Sequence, residues 1–165
     1  MKNKKTKLII IVAMIIIFMI IIASIIFISN KNEEKKYYVD DIQNQFISVY
    51  EEENLKILDF IDIISFFGID TGEIEEYTFM SNMTTEDEIN KDMIFVVVIN
   101  SDDASYYYDI LYSYIESHLL HLEDTELLEL FNNAIIKKGD NYTYMIIGSD
   151  AKMMEREINL FYKEI

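Results

Sequence analysis

Met93 to Ile99 read MIFVVVI, seven consecutive residues that are β-branched, aromatic or long and aliphatic. A run of this length and composition fits a strand buried on both faces, where no side needs to alternate with polar residues. Upstream, Tyr77 and Phe79 alternate with Thr78 and Met80 as a short strand does, and the polar stretch Ser81 to Asp92 suits a hairpin connection between the two. Farther upstream, Ile42, Phe46, Ile47 and Tyr50 recur at helical spacing. Glu51 to Asn54 interrupt the pattern, and Leu58, Ile61, Ile64 and Phe67 resume it up to Gly68, a natural helix stop.

Downstream, Ser101, Asp102 and Asp103 offer caps for a long helix whose Tyr107, Leu111, Tyr114, Ile115, His118 and Leu122 share one face. A second helical piece, Thr125 to Asn132, has Asp124 as its cap. Ala134 to Lys138 and Tyr142 to Gly148 form another hairpin around Gly139, Asp140 and Asn141. Ser149 or Asp150 then caps a last helix with Met154, Ile158, Phe161 and Ile165 on its apolar face. The order ααββααββα implies an α+β fold, with helices packed on a largely antiparallel four-stranded sheet.

The rest of the chain is of another kind. Leu8 to Ile28 hold twenty-one residues with no charge and only Ser24 polar, which as a helix span roughly 32 Å, the thickness of a hydrocarbon core. A cleaved signal would have a shorter apolar stretch ending in a small-x-small site, and here four large apolar residues follow Ala23 and Ser24. The expected organisation is therefore a basic cytoplasmic tail (1–7), a transmembrane helix in the lipid bilayer (8–28), a juxtamembrane spacer (29–36) and an extracytoplasmic domain (37–165). Lys2, Lys4, Lys5 and Lys7 precede the apolar run, and all thirty acidic residues follow it with ten basic ones, so the outer part carries 10 − 30 = −20. A surface of that sign repels phosphate, and Arg156 is the sole arginine, which excludes nucleic acid as a partner.

Several segments carry a family likeness. FFGID at 66–70, EEYTFM at 75–80, the strand ending FVVVIN, and NNAIIKKGDNYTYMIIGSDA at 132–151 resemble the family known as domain of unknown function 4358 over roughly residues 40–165. The resemblance implies a membrane- or lipid-anchored extracytoplasmic protein of a Gram-positive bacterium, with no assigned catalytic residues. This chain departs from the family pattern at LEDTELL (122–128), which lacks a family turn containing proline. In the acidic position before the second strand, either Glu88 or Asp92 can stand.

The chemistry-bearing residues are few. Zero Cys excludes thiolate metal sites, disulfides and cysteine nucleophiles. His118 and His121 lie one helical turn apart near Glu116, Glu123 and Asp124, a conceivable divalent-metal pair, but the helix places His118 on the apolar face and His121 at its edge, and no HExxH string supports zinc chemistry. Ser117 adjoins His118, yet neighbours on a helix diverge by about 100° and are not expected to share a proton. The acidic loop Thr84 to Asp92 lacks the ligand order of a calcium loop. Tyr106 and Tyr112 point away from the predicted core and are the interface candidates. No catalytic group and no cofactor is called for. The reading is a non-catalytic binding or scaffolding module at the cell surface, engaging another envelope protein. The alternatives are a divalent-cation or small-ligand binder, and then an anchored envelope enzyme.

Overall fold

The computed structural model describes residues 35–83, 85 and 88–164. The apolar segment 8–28 lies outside them, and among the described residues no helix is long and apolar enough to cross a membrane. In chain order the elements are β1 (Lys35–Tyr37), α1 (Val39–Val49), β2 (Lys56–Ile57), α2 (Phe60–Phe67), β3 (Glu76–Ser81), β4 (Phe95–Asn100), α3 (Ala104–His121), α4 (Thr125–Asn132), β5 (Ile135–Lys138), β6 (Tyr142–Ile147), α5 (Ala151–Leu160) and β7 (Tyr162–Glu164).

The apolar run at 93–99 supplies β4, and every residue of that strand is buried. It pairs antiparallel with β3 on one side and β6 on the other, while β2 and β5 close the edges in the order β2-β3-β4-β6-β5. Phe95, Val97 and Ile99 enter the core beneath α2, α3 and α4, whereas Val96 and Val98 enter the core beneath β1, α1 and α5. Two covered faces explain the unbroken hydrophobicity of the strand, since a one-sided sheet would have required alternation. The α+β class and the antiparallel hairpins agree with the sequence reading.

Four expectations need correction. The sheet has five strands, because Asn54 adopts a left-handed φ of 57° and turns the chain back into an extended segment, which adds Lys56 and Ile57 to the Ser81 end of β3. The buried face of α2 is Ile63, Phe66 and Phe67, not the repeat through Ile61 and Ile64. Asp59 causes the shift: its carboxylate accepts from the N–H groups of Ile61 (2.8 Å) and Asp62 (2.9 Å) and so starts the helix at Phe60. Leu58, just before the cap, and Ile63, in the next turn, then enter the same core, as a hydrophobic staple does.

The last helix ends at Leu160 rather than running to Ile165, because residues 162–164 pair antiparallel with β1. That pairing also draws Lys35 and Lys36 of the expected spacer into the fold. Lastly, neither α3 nor α5 has a side-chain cap from Asp103 or Asp150. Before α3, Ser101 Oγ instead accepts from the Asp103 N–H at 3.1 Å. Gly68 does end α2, at φ 65°, and Asp124 does cap α4.

Candidate functional site

A groove of about 460 Å³ runs between α2 and α3. Its floor is aromatic: Phe66, Phe67 and Tyr114 are buried, with the Phe67 and Tyr114 ring centroids 4.8 Å apart. Its α3 wall is Tyr106, Ile110, Ser113 and Ser117, which fall at i, i+4, i+7 and i+11 on one helical face. Ser113 Oγ donates to the Asp109 carbonyl (2.7 Å) and Ser117 Oγ to the Tyr114 carbonyl (2.9 Å), so both hydroxyl donors are satisfied within their own helix. The rephasing of α2 leaves Phe60 at 51%, Ile61 at 74% and Ile64 at 42% exposure, an aliphatic and aromatic flank open to solvent.

One acid lines this groove and three more act on a neighbouring tyrosine. Asp109 lines it, and Asp103, Asp70 and Glu73 lie near the Tyr107 hydroxyl. Burial raises the pKa of that phenol first, and the negative field of Glu73, the Tyr106 phenol, Asp103 and Asp70 raises it further.

The sequence candidates fall as follows. Tyr106 is 55% exposed and lines the groove, whereas Tyr112 sits on the other flank of α3, stacked on Tyr108 at 5.9 Å with Lys138 Nζ over the Tyr108 ring. A hydrogen bond to Glu116 is the main cause of the raised Tyr112 pKa. The two tyrosines therefore do not form one patch. His118 is half-buried, stacked on Phe131 with centroids 4.8 Å apart, and its Nδ1–H donates to the Tyr114 carbonyl at 2.9 Å. His121 Nδ1–H donates to the Ser117 carbonyl at 2.7 Å. Each imidazole is thus turned back along its own helix, and among the described residues no three His, Cys, Asp or Glu groups are arranged to hold a metal ion.

Ser117 and His118 come closer than the helical angle suggested. Oγ and Nδ1 are 3.5 Å apart, but both are donors to the same Tyr114 carbonyl, so Nδ1 carries its proton and is no base for the hydroxyl. The acidic loop 84–92 lies partly outside the described residues. Its described part is fixed by Asn82, whose side chain donates to the Asp92 carbonyl and accepts from the Ile94 N–H.

A family-model scan and searches of curated proteins and of solved structures return no match for this chain. The likeness to family 4358 therefore rests on the segments 66–70, 75–80, 95–100 and 132–151 alone.

Two features were missed in the sequence. One is the exposed flank of α2, for which the signal was present in Asp59 followed by a helix former, a cap that sets the phase. The other is a second concavity of about 530 Å³ lined by Tyr38, Asp40, Asp41, Glu75, Glu76 and Tyr77. No local signal could have found this one, because the β3 register and the first turn of α1 bring together residues some thirty-five positions apart.

Proposed function

We propose that this chain is a single-pass membrane-anchored extracytoplasmic protein, held by residues 8–28, whose outer domain acts without catalysis by binding another envelope protein. The observation that carries the reading is apolar surface left open on both helices: Ile61 of α2 is 74% exposed, and Tyr106 of α3, 55% exposed, lines an aromatic-floored groove. Covering a side chain of this kind contributes about 1.5–3 kcal/mol, so several on one face give a partner enough driving force for a specific contact. The charge pattern supports the address: four lysines precede the apolar run and −20 follows it.

The test is site-specific photo-crosslinking in intact membranes, with a benzophenone side chain at position 61 or 106 and a control at the exposed Glu52. A discrete adduct from 61 and 106, absent from 52 and lost when Ile64→Asp is added, is the expected result. The same bands from all three positions, or none from 61 and 106, sink the reading.

The acidic, tyrosine-walled concavity favours a second reading, a small cationic ligand. Its check is the thermal midpoint of the full chain with millimolar Ca²⁺, Zn²⁺ or spermidine, where an unmoved midpoint removes it.

A further inference from the structure

The groove has a definite length, a definite polarity and an asymmetric charge, and together these specify an occupant. Tyr106 and His118 mark its two ends, twelve residues apart on α3, or about 18 Å. That is three turns of a second helix. Ser113 lies midway along the wall and Ser117 near its His118 end, and small side chains there let a helix axis approach closely. Because their hydroxyl donors are already satisfied by α3 carbonyls, the wall asks for no polar partner and suits aliphatic side chains. The floor of Phe66, Phe67 and Tyr114 adds apolar surface below.

Charge then selects among apolar partners. Asp109 is the charged residue of the lining, Asp103 stands at the start of α3 with its carbonyl accepting from the Tyr106 N–H at 3.0 Å, and Asp70 and Glu73 bear on the neighbouring Tyr107 hydroxyl, with neither Lys nor Arg among the lining residues. A helix laid in the groove with its N-terminus at Tyr106 would set any Lys or Arg of its first turn toward these carboxylates. A second copy of this chain fits poorly, since its outer part brings another −20 to an acidic rim.

We infer that the α2/α3 groove seats a cationic amphipathic helix of about three turns, aliphatic face down, with its basic N-terminal turn beside Asp70, Glu73, Asp103 and Asp109. This names the kind of partner for the binding module proposed above and rests on that reading. Such a contact covers a small area and belongs among transient, helix-in-groove associations.

The test uses the full chain in phosphatidylcholine nanodiscs, with protein-free discs as the blank. The probe is a fluorescent fourteen-residue Leu/Ala helix with two lysines in its first turn and a photo-reactive leucine on its apolar face; its counterpart carries two glutamates instead. The expected results are saturable binding of the lysine peptide, cross-links confined to α2 and α3, and at least tenfold weaker binding of the glutamate peptide. Ser113→Trp, which fills the groove from an exposed position, should weaken binding at least tenfold, and the double variant Asp103→Asn/Asp109→Asn several-fold.

Several outcomes overturn the inference: no saturable binding above the blank, cross-links outside α2 and α3, equal affinity for the two peptides, or a Ser113→Trp variant that still binds. A chain dimer that closes the groove without peptide overturns it too. If the peptide fails while adducts from positions 61 and 106 persist in intact membranes, the helix inference falls and the binding reading stands. If both fail, both fall.

Discussion

Asn100 and Tyr37 exchange a pair of hydrogen bonds across sixty-three residues: the Tyr37 N–H donates to Asn100 Oδ1 at 3.1 Å, and Asn100 Nδ2 donates to the Tyr37 carbonyl at 2.8 Å. A side-chain amide here takes the place of a neighbouring strand. It holds β1, through which the chain enters the fold, against the end of β4, and its second N–H reaches Glu76 Oε2 at 2.8 Å. Asn100 is wholly buried, so removing the amide strands polar groups inside the protein.

Asn100→Leu should therefore cost about 2–4 kcal/mol in urea denaturation of the full chain, followed by tyrosine fluorescence. Asn100→Asp should be worse at neutral pH, because it removes both donors and sets a second carboxylate beside Glu76. The carboxyl introduced would have a raised folded-state pKa, so its penalty is present above that value and eases as pH falls through it. A pH-independent penalty for Asn100→Asp would contradict this account.

The fold was legible where a signal was local. The run at 93–99 announced a strand covered on both faces, and Asp124 announced a cap. The Gly139 turn was readable too: a Cβ there would meet the Tyr142 ring, which would have to shift to admit any other residue. What escaped were features decided by distant partners. β2 is two residues long and exists because Ser81 and Met80 lie opposite it, and β7 exists because β1 pairs with it. Asn100 reads as the polar end of a strand, and nothing near it in sequence hints that its amide serves Tyr37. The groove was half legible, through the outward Tyr106, while its α2 side was hidden by a helix phase one step off.

Glu155 should make stability pH-dependent in a defined direction. Lys137 is the main cause that holds its carboxyl below the usual range, with the Tyr144 hydroxyl donating at 3.0 Å as a further cause, while burial opposes them. A folded-state pKa below the unfolded value means that the stabilisation is fully present above pH of about 4.5 and is lost as pH falls through the folded value. Glu155→Gln should thus lower stability by about 1 kcal/mol at pH 7, a figure kept small because Lys137 is largely exposed, and the gap to the unsubstituted protein should close in acid. A gap of the same size at pH 7 and at pH 3 would refute the assignment.

Tyr50 offers a test of opposite sign. Its hydroxyl is buried without a hydrogen-bond partner among the described residues, and so is Glu157 Oε2; burial first, then Glu157 and Asp150, push the phenol pKa up to about 12. The ring packs on Phe46 at 5.5 Å and is what the core needs. Tyr50→Phe keeps the ring and removes an unsatisfied donor, so it should leave stability unchanged or raise it by up to ~1 kcal/mol. A loss above that size would reveal a partner for the hydroxyl.

The phase of α2 is the most discriminating prediction, because the pattern through Leu58, Ile61, Ile64 and Phe67 and the capped helix disagree about which isoleucines are buried. Ile63 is 1% exposed and packs beside Leu58, so Ile63→Ala should cost about 2–4 kcal/mol as the core loses its methyl groups and keeps part of the cavity. Ile61 reaches solvent, and Ile61→Asp should move stability by less than ~0.5 kcal/mol. A carboxylate at this second helical position, in the first turn, is placed where the helix dipole favours it. The same Ile61→Asp substitution removes a large apolar group from the α2/α3 face, so it should abolish the adduct formed from position 106 in intact membranes. Full stability with lost cross-linking separates a docking residue from a core residue in one variant, whereas unfolding by Ile61→Asp would restore the simple periodic reading of the helix.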